Sequence, residues 1–152
     1  MDVTFYGVRG STPTACERTR RYGGNTASVV LEVGDEPPLL LDLGTGLRFF
    51  GETQLDNGQF RASALVSHLH WDHVQGLPFC PAVDRDDSVV RLHLPVGDDP
   101  ASPVEVLARG FSPPHFPIDP HGLRGSLMCG DSVEGIRISR ASGFVSADMH
   151  RS

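Results

Sequence analysis

Short apolar runs, alternating or continuous, are separated by Gly- and Pro-rich breaks along the whole chain. Val3 to Val8 reads as an opening strand, with Gly7 and Gly10 shaping the loop behind it. Thr26 to Val33 reads as a second strand that stops at the turn signal Gly34-Asp35. Pro37-Pro38 introduces Leu39-Leu40-Leu41-Asp42, apolar on both faces, as expected in a sheet covered on both sides. Gly44-Thr45-Gly46 breaks that run, and Leu47 to Leu55 fits a helix. Ala64-Leu65-Val66-Ser67, bounded upstream by Asp56-Asn57-Gly58, reads as a buried strand. Val89 to Leu94 is another, in which His93 alternates with apolar neighbours as a partly buried strand residue. Seven of the 12 prolines fall between Pro95 and Pro120, which rules out a continuous helix or a central strand there. A short helix over Pro103 to Arg109 interrupts the tract, with Pro in its first turn and Gly110 behind it. Phe111 to Pro120 then reads as an ordered loop walling one side of a site, with His115 and His121 as surface residues by default and substrate contacts as the alternative. Gly135 to His150 alternates as two short strands would.

The strand at Ala64 leads into His68-Leu69-His70-Trp71-Asp72-His73, three imidazoles and one carboxylate in six residues. Neutral imidazole is the commonest metal ligand, and Zn²⁺ takes mixed nitrogen and carboxylate shells. His68 and His70 stand two apart, so on extended backbone they point the same way. Asp72 and His73 follow the bend and aim at a second position beside the first. A solvated His-rich loop, or one satisfied buried His, is the plain alternative. Four ligand-type residues directly behind a strand favour metal, because open α/β sheets gather their sites at strand ends. The same shell accepts Zn²⁺, Mn²⁺ or Fe²⁺. Trp71, the only Trp, is expected simply to pack beside the site.

Composition narrows the rest. A chain of 152 residues with 39% hydrophobic and 21% charged residues is one ordinary globular domain. No apolar run approaches the ~20 residues of a membrane span. The N-terminus enters strand-like sequence without a basic or cleavable segment, so a cytoplasmic location is expected. Cys16, Cys80 and Cys129 are odd in number and form no Cys-x-x-Cys pair, which predicts buried or half-buried free thiols. A formal charge of −6 argues against general nucleic-acid binding. Arg9, Arg18, Arg20 and Arg21 cluster in the N-terminal loops and read either as a phosphate patch or as solvated surface. The lone Gly44-Thr45-Gly46 turn lacks the third glycine of a dinucleotide fingerprint.

Ser67-His68-Leu69-His70-Trp71-Asp72-His73 resembles the His-x-His-x-Asp-His signature of the metallo-β-lactamase superfamily. Gly7-Val8-Arg9-Gly10-Ser11-Thr12-Pro13, Arg21-Tyr22-Gly23-Gly24-Asn25-Thr26 and Leu41-Asp42-Leu43-Gly44-Thr45-Gly46-Leu47-Arg48 are similar to the branch of phosphoribosyl cyclic phosphodiesterases, related cyclic-nucleotide phosphodiesterases and tRNA 3′-processing nucleases. Phe111-Ser112-Pro113-Pro114-His115-Phe116-Pro117 is similar to a Pro-Pro-aromatic-Phe-Pro stretch of the first of these. The resemblance implies an α/β fold, a metallo-β-lactamase-like αββα sandwich, lacking its C-terminal part. It implies metal ligands at His68, His70, Asp72 and His73, with His150 as the third His of the first metal and Asp72 also serving catalysis. Asp42 would support the site as a buried carboxylate, or else simply initiate a turn. A bridging Asp and a last His of the family have no counterpart here. Three explanations stand side by side: a truncated gene product, a chain completed by a second copy as a homodimer, or a degenerate, inactive relative. The expected activity is metal-dependent hydrolysis of a small phosphodiester, linear or cyclic, with thioester or lactam hydrolysis as a weaker option. The alternative is a protein that binds at most one metal and hydrolyses nothing.

Overall fold

A single row of side chains sets the architecture. Val30, Leu40, Ala64 and Leu92 lie opposite one another on neighbouring strands, and all four are fully buried. In this computed structural model, which describes residues 1–95, 99–129 and, as backbone, 136–141 and 144–149, six strands form one mixed sheet. They are β1 (Asp2–Gly7), β2 (Ser28–Glu32), β3 (Leu39–Leu41), β4 (Arg61–Leu65), β5 (Val89–His93) and β6 (Ser126–Cys129), ordered in space as in sequence. The first two pairings are antiparallel and the last three parallel. The parallel half needs crossovers, and α1 (Leu47–Thr53), α2 (Trp71–Val74) and α3 (Pro103–Gly110) lie in them. A second ladder pairs β7 (Ile136–Ala141) with β8 (Phe144–Met149), antiparallel. No helix among the described residues is long and apolar enough to cross a membrane.

Side chains alternate between the two faces of a strand, and the two faces here have different fates. The row with Val30 packs against Leu43, Leu47, Phe50 and Leu77 in one core cluster. Burying an aliphatic or Phe side chain completely contributes about 1.5–3 kcal/mol, so this face supplies most of the driving force. On the opposite face, Phe5, Val29, Leu41, Leu65 and His93 form a parallel row. Phe5 is 67% exposed, and the other four are half-buried. The expectation of cover on both faces holds for Leu39 and Leu40, which are buried on opposite faces, and lapses at Leu41, which keeps solvent contact.

Boundaries move slightly from the sequence expectation. Strand β4 begins at Arg61 and ends at Leu65, so Val66 and Ser67 already belong to the site loop. Strand β6 was not expected, because Ser126-Leu127-Met128-Cys129 has no clear alternation and three of its four residues are exposed. Helix α3 starts as expected: the Ser102 hydroxyl accepts from the Glu105 amide and the Glu105 carboxylate accepts from the Ser102 amide. Of the thiols, only Cys80 is buried, and burial raises its pKa to about 11. Cys16 and Cys129 are exposed, correcting the expectation of buried or half-buried thiols.

The strand ends are stitched together where the chain leaves them. The Asp42 amide donates to the Leu65 carbonyl (3.0 Å), and the Leu43 amide to the His73 carbonyl (2.7 Å). Gly44 and Gly76 allow the closest approach: the Gly76 amide donates to the Leu43 carbonyl (2.8 Å), and a Cβ at Gly76 would sit 1.9 Å from the Gly44 carbonyl oxygen. Thr26, fully buried, and Thr45 brace the same turn, each backbone amide donating to the other's hydroxyl at 2.9 Å. Because the atom opposed to Gly76 is backbone, Gly76→Ala is expected to destabilise the fold by about 2 kcal/mol or more, read from urea or thermal unfolding.

Candidate functional site

The six-residue run His68 to His73 leaves β4 and turns directly into α2, whose N-cap is His70. A His68 ring two residues ahead of His70, followed by a helical turn carrying Asp72 and His73, gathers the side chains onto one spot. The rings of His68 and His73 lie 4.0 Å apart between centroids, and those of His68 and His70 4.5 Å. Asp72 is buried, His68 and His73 are half-buried, and His70 is exposed. His150 lies outside the described residues.

Asp42 organises the cluster from below. It sits just past β3 with φ +58°, the left-handed region that Asp and Asn tolerate better than most residues. This turns its carboxylate toward the neighbouring strand end. Oδ1 accepts from the Ser67 amide and hydroxyl (both 2.8 Å), and Oδ2 pairs with His73 Nδ1 at 2.8 Å. Both readings of Asp42 therefore meet in one residue, a turn former whose carboxylate supports a site histidine. The Ser67 hydroxyl also lies 3.0 Å from His68 Nδ1, so one hydroxyl touches two members of the network.

A carboxylate is an acceptor only, so the Asp42 contact places a proton on His73 Nδ1. On the far side of the ring, His73 Nε2 faces Asp72 Oδ2 at 3.4 Å. If that ring is neutral, two acceptors confront each other across the gap. A cation between them would satisfy both acceptors at once. Two metal–ligand bonds of about 2.1 Å at a tetrahedral angle span about 3.4 Å. The donor set thus fits a divalent ion at Asp72 and His73, and the carboxylate on the outer nitrogen is the usual companion of a metal-bound imidazole. Among the described residues no three His, Cys, Asp or Glu groups stand as a preformed metal cage.

Titration favours the same forms. The Ser11 amide, donating to Asp72 Oδ2 at 2.7 Å, holds that carboxyl below its usual range. Burial, then the neighbouring His73 and His70, lower the pKa of His68 and favour neutral imidazole. Anionic carboxylate and neutral imidazole are the ligating states.

Ser11 was not singled out from sequence as a site residue, although it lies inside the Gly7 to Pro13 motif. It adopts φ +67°, and its amide reaches a carboxylate 61 residues away. Ser67 was likewise read as the end of a strand rather than as a hydrogen-bonding centre. The arginine cluster is exposed, and its described partners are local: Arg20 pairs with Glu17 at 2.9 Å and Arg21 lies over the Tyr22 ring at 4.9 Å. His115 and His121 are exposed loop residues, as expected, and His93 is half-buried on β5.

No protein-family model matches the chain. Ribonuclease Z of Natronomonas pharaonis is 31% identical to it over 136 residues, covering 87% of this chain and 41% of that protein. The chain thus spans about two fifths of the length of this curated relative. The likeness supports the metallo-β-lactamase superfamily rather than any one of its branches.

Removing the Asp42 carboxylate should free the His73 ring without changing any candidate ligand. Asp42→Asn is expected to weaken Zn²⁺ uptake about 10–100-fold, measured by chelator competition, while far-UV circular dichroism stays unchanged.

Proposed function

We propose that this chain is a metal-dependent phosphodiester hydrolase of the αββα sandwich type, acting on a small diester, linear or cyclic. The observation that carries the reading is the relay Asp42–His73–Asp72, whose 2.8 Å and 3.4 Å separations leave a gap shaped for a cation. The likeness to a ribonuclease, an enzyme named for its action on RNA, points toward phosphodiesters rather than lactams or thioesters. The sandwich is supported by the half-exposed apolar row Phe5, Val29, Leu41 and Leu65, the kind of surface a second layer covers. A cytoplasmic location belongs to the same reading, supported by three free thiols.

His68, His70, Asp72 and His73 would hold Zn²⁺, or Mn²⁺ or Fe²⁺. When bound, the ion supplies Lewis acidity and water acidified to a pKa of about 7, a nucleophile available at neutral pH. The protein's part is preorganisation. Asp42 fixes the His73 tautomer and Ser67 orients His68, so neither ring must reorganise when charge develops. The Ser11 amide keeps Asp72 ionised with one oxygen engaged, leaving the other free to orient the attacking water or accept its proton. In-line displacement at phosphorus then requires only that the diester be held with its leaving group opposite that water.

A second reading is an inactive relative that binds at most one ion. It is favoured by the lack of a third convergent donor among the described residues. Metal content of the purified chain and turnover of bis-p-nitrophenyl phosphate separate the two. The hydrolase reading expects turnover that chelation abolishes and Zn²⁺ or Mn²⁺ restores. Asp72→Ala and His73→Ala are each expected to lower it at least about 100-fold. Full activity in both variants, or none in the parent with any metal, would sink the assignment.

A further inference from the structure

The Ser67 hydroxyl has a single hydrogen to give and more than one neighbour that could take it. Its Oγ lies 2.8 Å from Asp42 Oδ1, 3.0 Å from Asp42 Oδ2 and 3.0 Å from His68 Nδ1. A carboxylate only accepts, and a short O···O contact with no hydrogen in it sets lone pairs against each other. The one hydrogen is therefore committed to Asp42. What Oγ offers His68 is a lone pair, so that contact is a hydrogen bond only with His68 Nδ1 as the donor. The 3.4 Å approach of His73 Nδ1 to the same oxygen does not compete, because that ring donates to Asp42 Oδ2 at 2.8 Å.

Resting on the hydrolase reading above, we propose that Ser67 is a positioning residue that passes the tautomer set by Asp42 on to His68, so that one carboxylate leaves Nε2 of both rings bare for metal. Asp42 acts on His73 directly and on His68 through one intervening hydroxyl. The relay is held at both ends. The Ser67 amide donates to the same Oδ1 at 2.8 Å, and the Asp42 amide is tied to the Leu65 carbonyl. With the ring centroids of His68 and His73 4.0 Å apart, the two bare nitrogens serve one cluster. In water a neutral histidine ring prefers its proton on Nε2, the nitrogen that would have to ligate. Ser67 thus works against the default and removes a proton shift that would otherwise precede metal uptake.

The metal-free full chain, labelled with ¹⁵N and held at about pH 8 so that imidazole is neutral, reports each tautomer through two-bond proton–nitrogen correlations. His68→Gln and His73→Gln identify the signals. Both rings of the parent are expected to carry their proton on Nδ1. Ser67→Ala is expected to move His68 to the Nε2–H form and leave His73 as it was. The same variant is expected to take up Zn²⁺ about 10–100-fold more weakly in chelator competition, whereas Ser67→Thr, which keeps the hydroxyl, restores both tautomer and affinity. A merely structural role would change stability without moving a tautomer. A His68 ring protonated on Nε2 in the parent, or one unmoved by Ser67→Ala, would overturn the relay. The parent spectrum decides this alone should the variant not fold. The two readings fail separately. Bis-p-nitrophenyl phosphate turnover with Nε2–H on His68 removes the relay and leaves the hydrolase. Nδ1–H on both rings without metal-dependent turnover removes the hydrolase and leaves the relay.

Discussion

Asp42 ties the end of β3 to the end of β4 and to α2. Its amide closes the end of β4, its Oδ1 gathers Ser67, and its Oδ2 holds His73 on α2. The residue achieves this from a left-handed backbone conformation, which carries a steric cost for any side chain larger than hydrogen. Three hydrogen bonds to a charged group, each worth about 1.5–3 kcal/mol in favourable surroundings, outweigh strain of about 1–3 kcal/mol. Around this anchor the remaining constraints are steric. Gly44 and Gly76 let two backbones touch, and the Thr26–Thr45 pair closes the turn from the other side.

The elements that sequence patterning finds well are those with a buried face. Val29 to Leu31, Leu39 to Leu41 and Val89 to His93 carry enough β-branched or aliphatic residues to declare themselves, and α3 announces its start with Pro103. Strand β6 is missed because an exposed edge strand has little apolar pattern to read. The candidate site is legible in part for a different reason: four ligand-type residues are contiguous, so no tertiary knowledge is needed to group them. What contiguity cannot convey is the support. The reach of the Ser11 amide to Asp72, and the Ser67 hydroxyl shared by Asp42 and His68, depend on backbone turns that only the assembled sheet defines. Trp71 inverts the usual inference, since the largest apolar side chain in the chain is one of its more open ones.

The sheet is lopsided in chemistry as well as burial. The core-facing row Val30, Leu40, Ala64 and Leu92 is aliphatic, with Ser28 buried two residues before Val30, whereas the opposite row runs from Phe5 to His93; Ser28 Oγ and His93 Nδ1 are both buried without a hydrogen-bond partner among the described residues. Burial, with Arg91 close by, lowers the His93 pKa and keeps the ring neutral, which limits the cost of the orphaned nitrogen. Each face of the sheet thus carries one buried polar atom without a partner among the described residues, and the site loops grow from the strand ends.

The mixed sheet also dictates an order of events. Strands β2 and β3 pair antiparallel across the shortest separation, Leu31 opposite Leu39, whereas β1 reaches β2 only over a long one, Gly7 opposite Ser28. The pairings of β3 with β4 and β4 with β5 are parallel and must wait for whole crossovers, and the Ser11–Asp72 bond spans 61 residues. Since chain-closure entropy delays distant contacts most, the β2–β3 hairpin can form early and the histidine cluster is completed late. A folding intermediate arrested at that hairpin would carry every ligand residue in its sequence and none in position, so metal capture by the fully assembled site would report the last step of folding rather than the first.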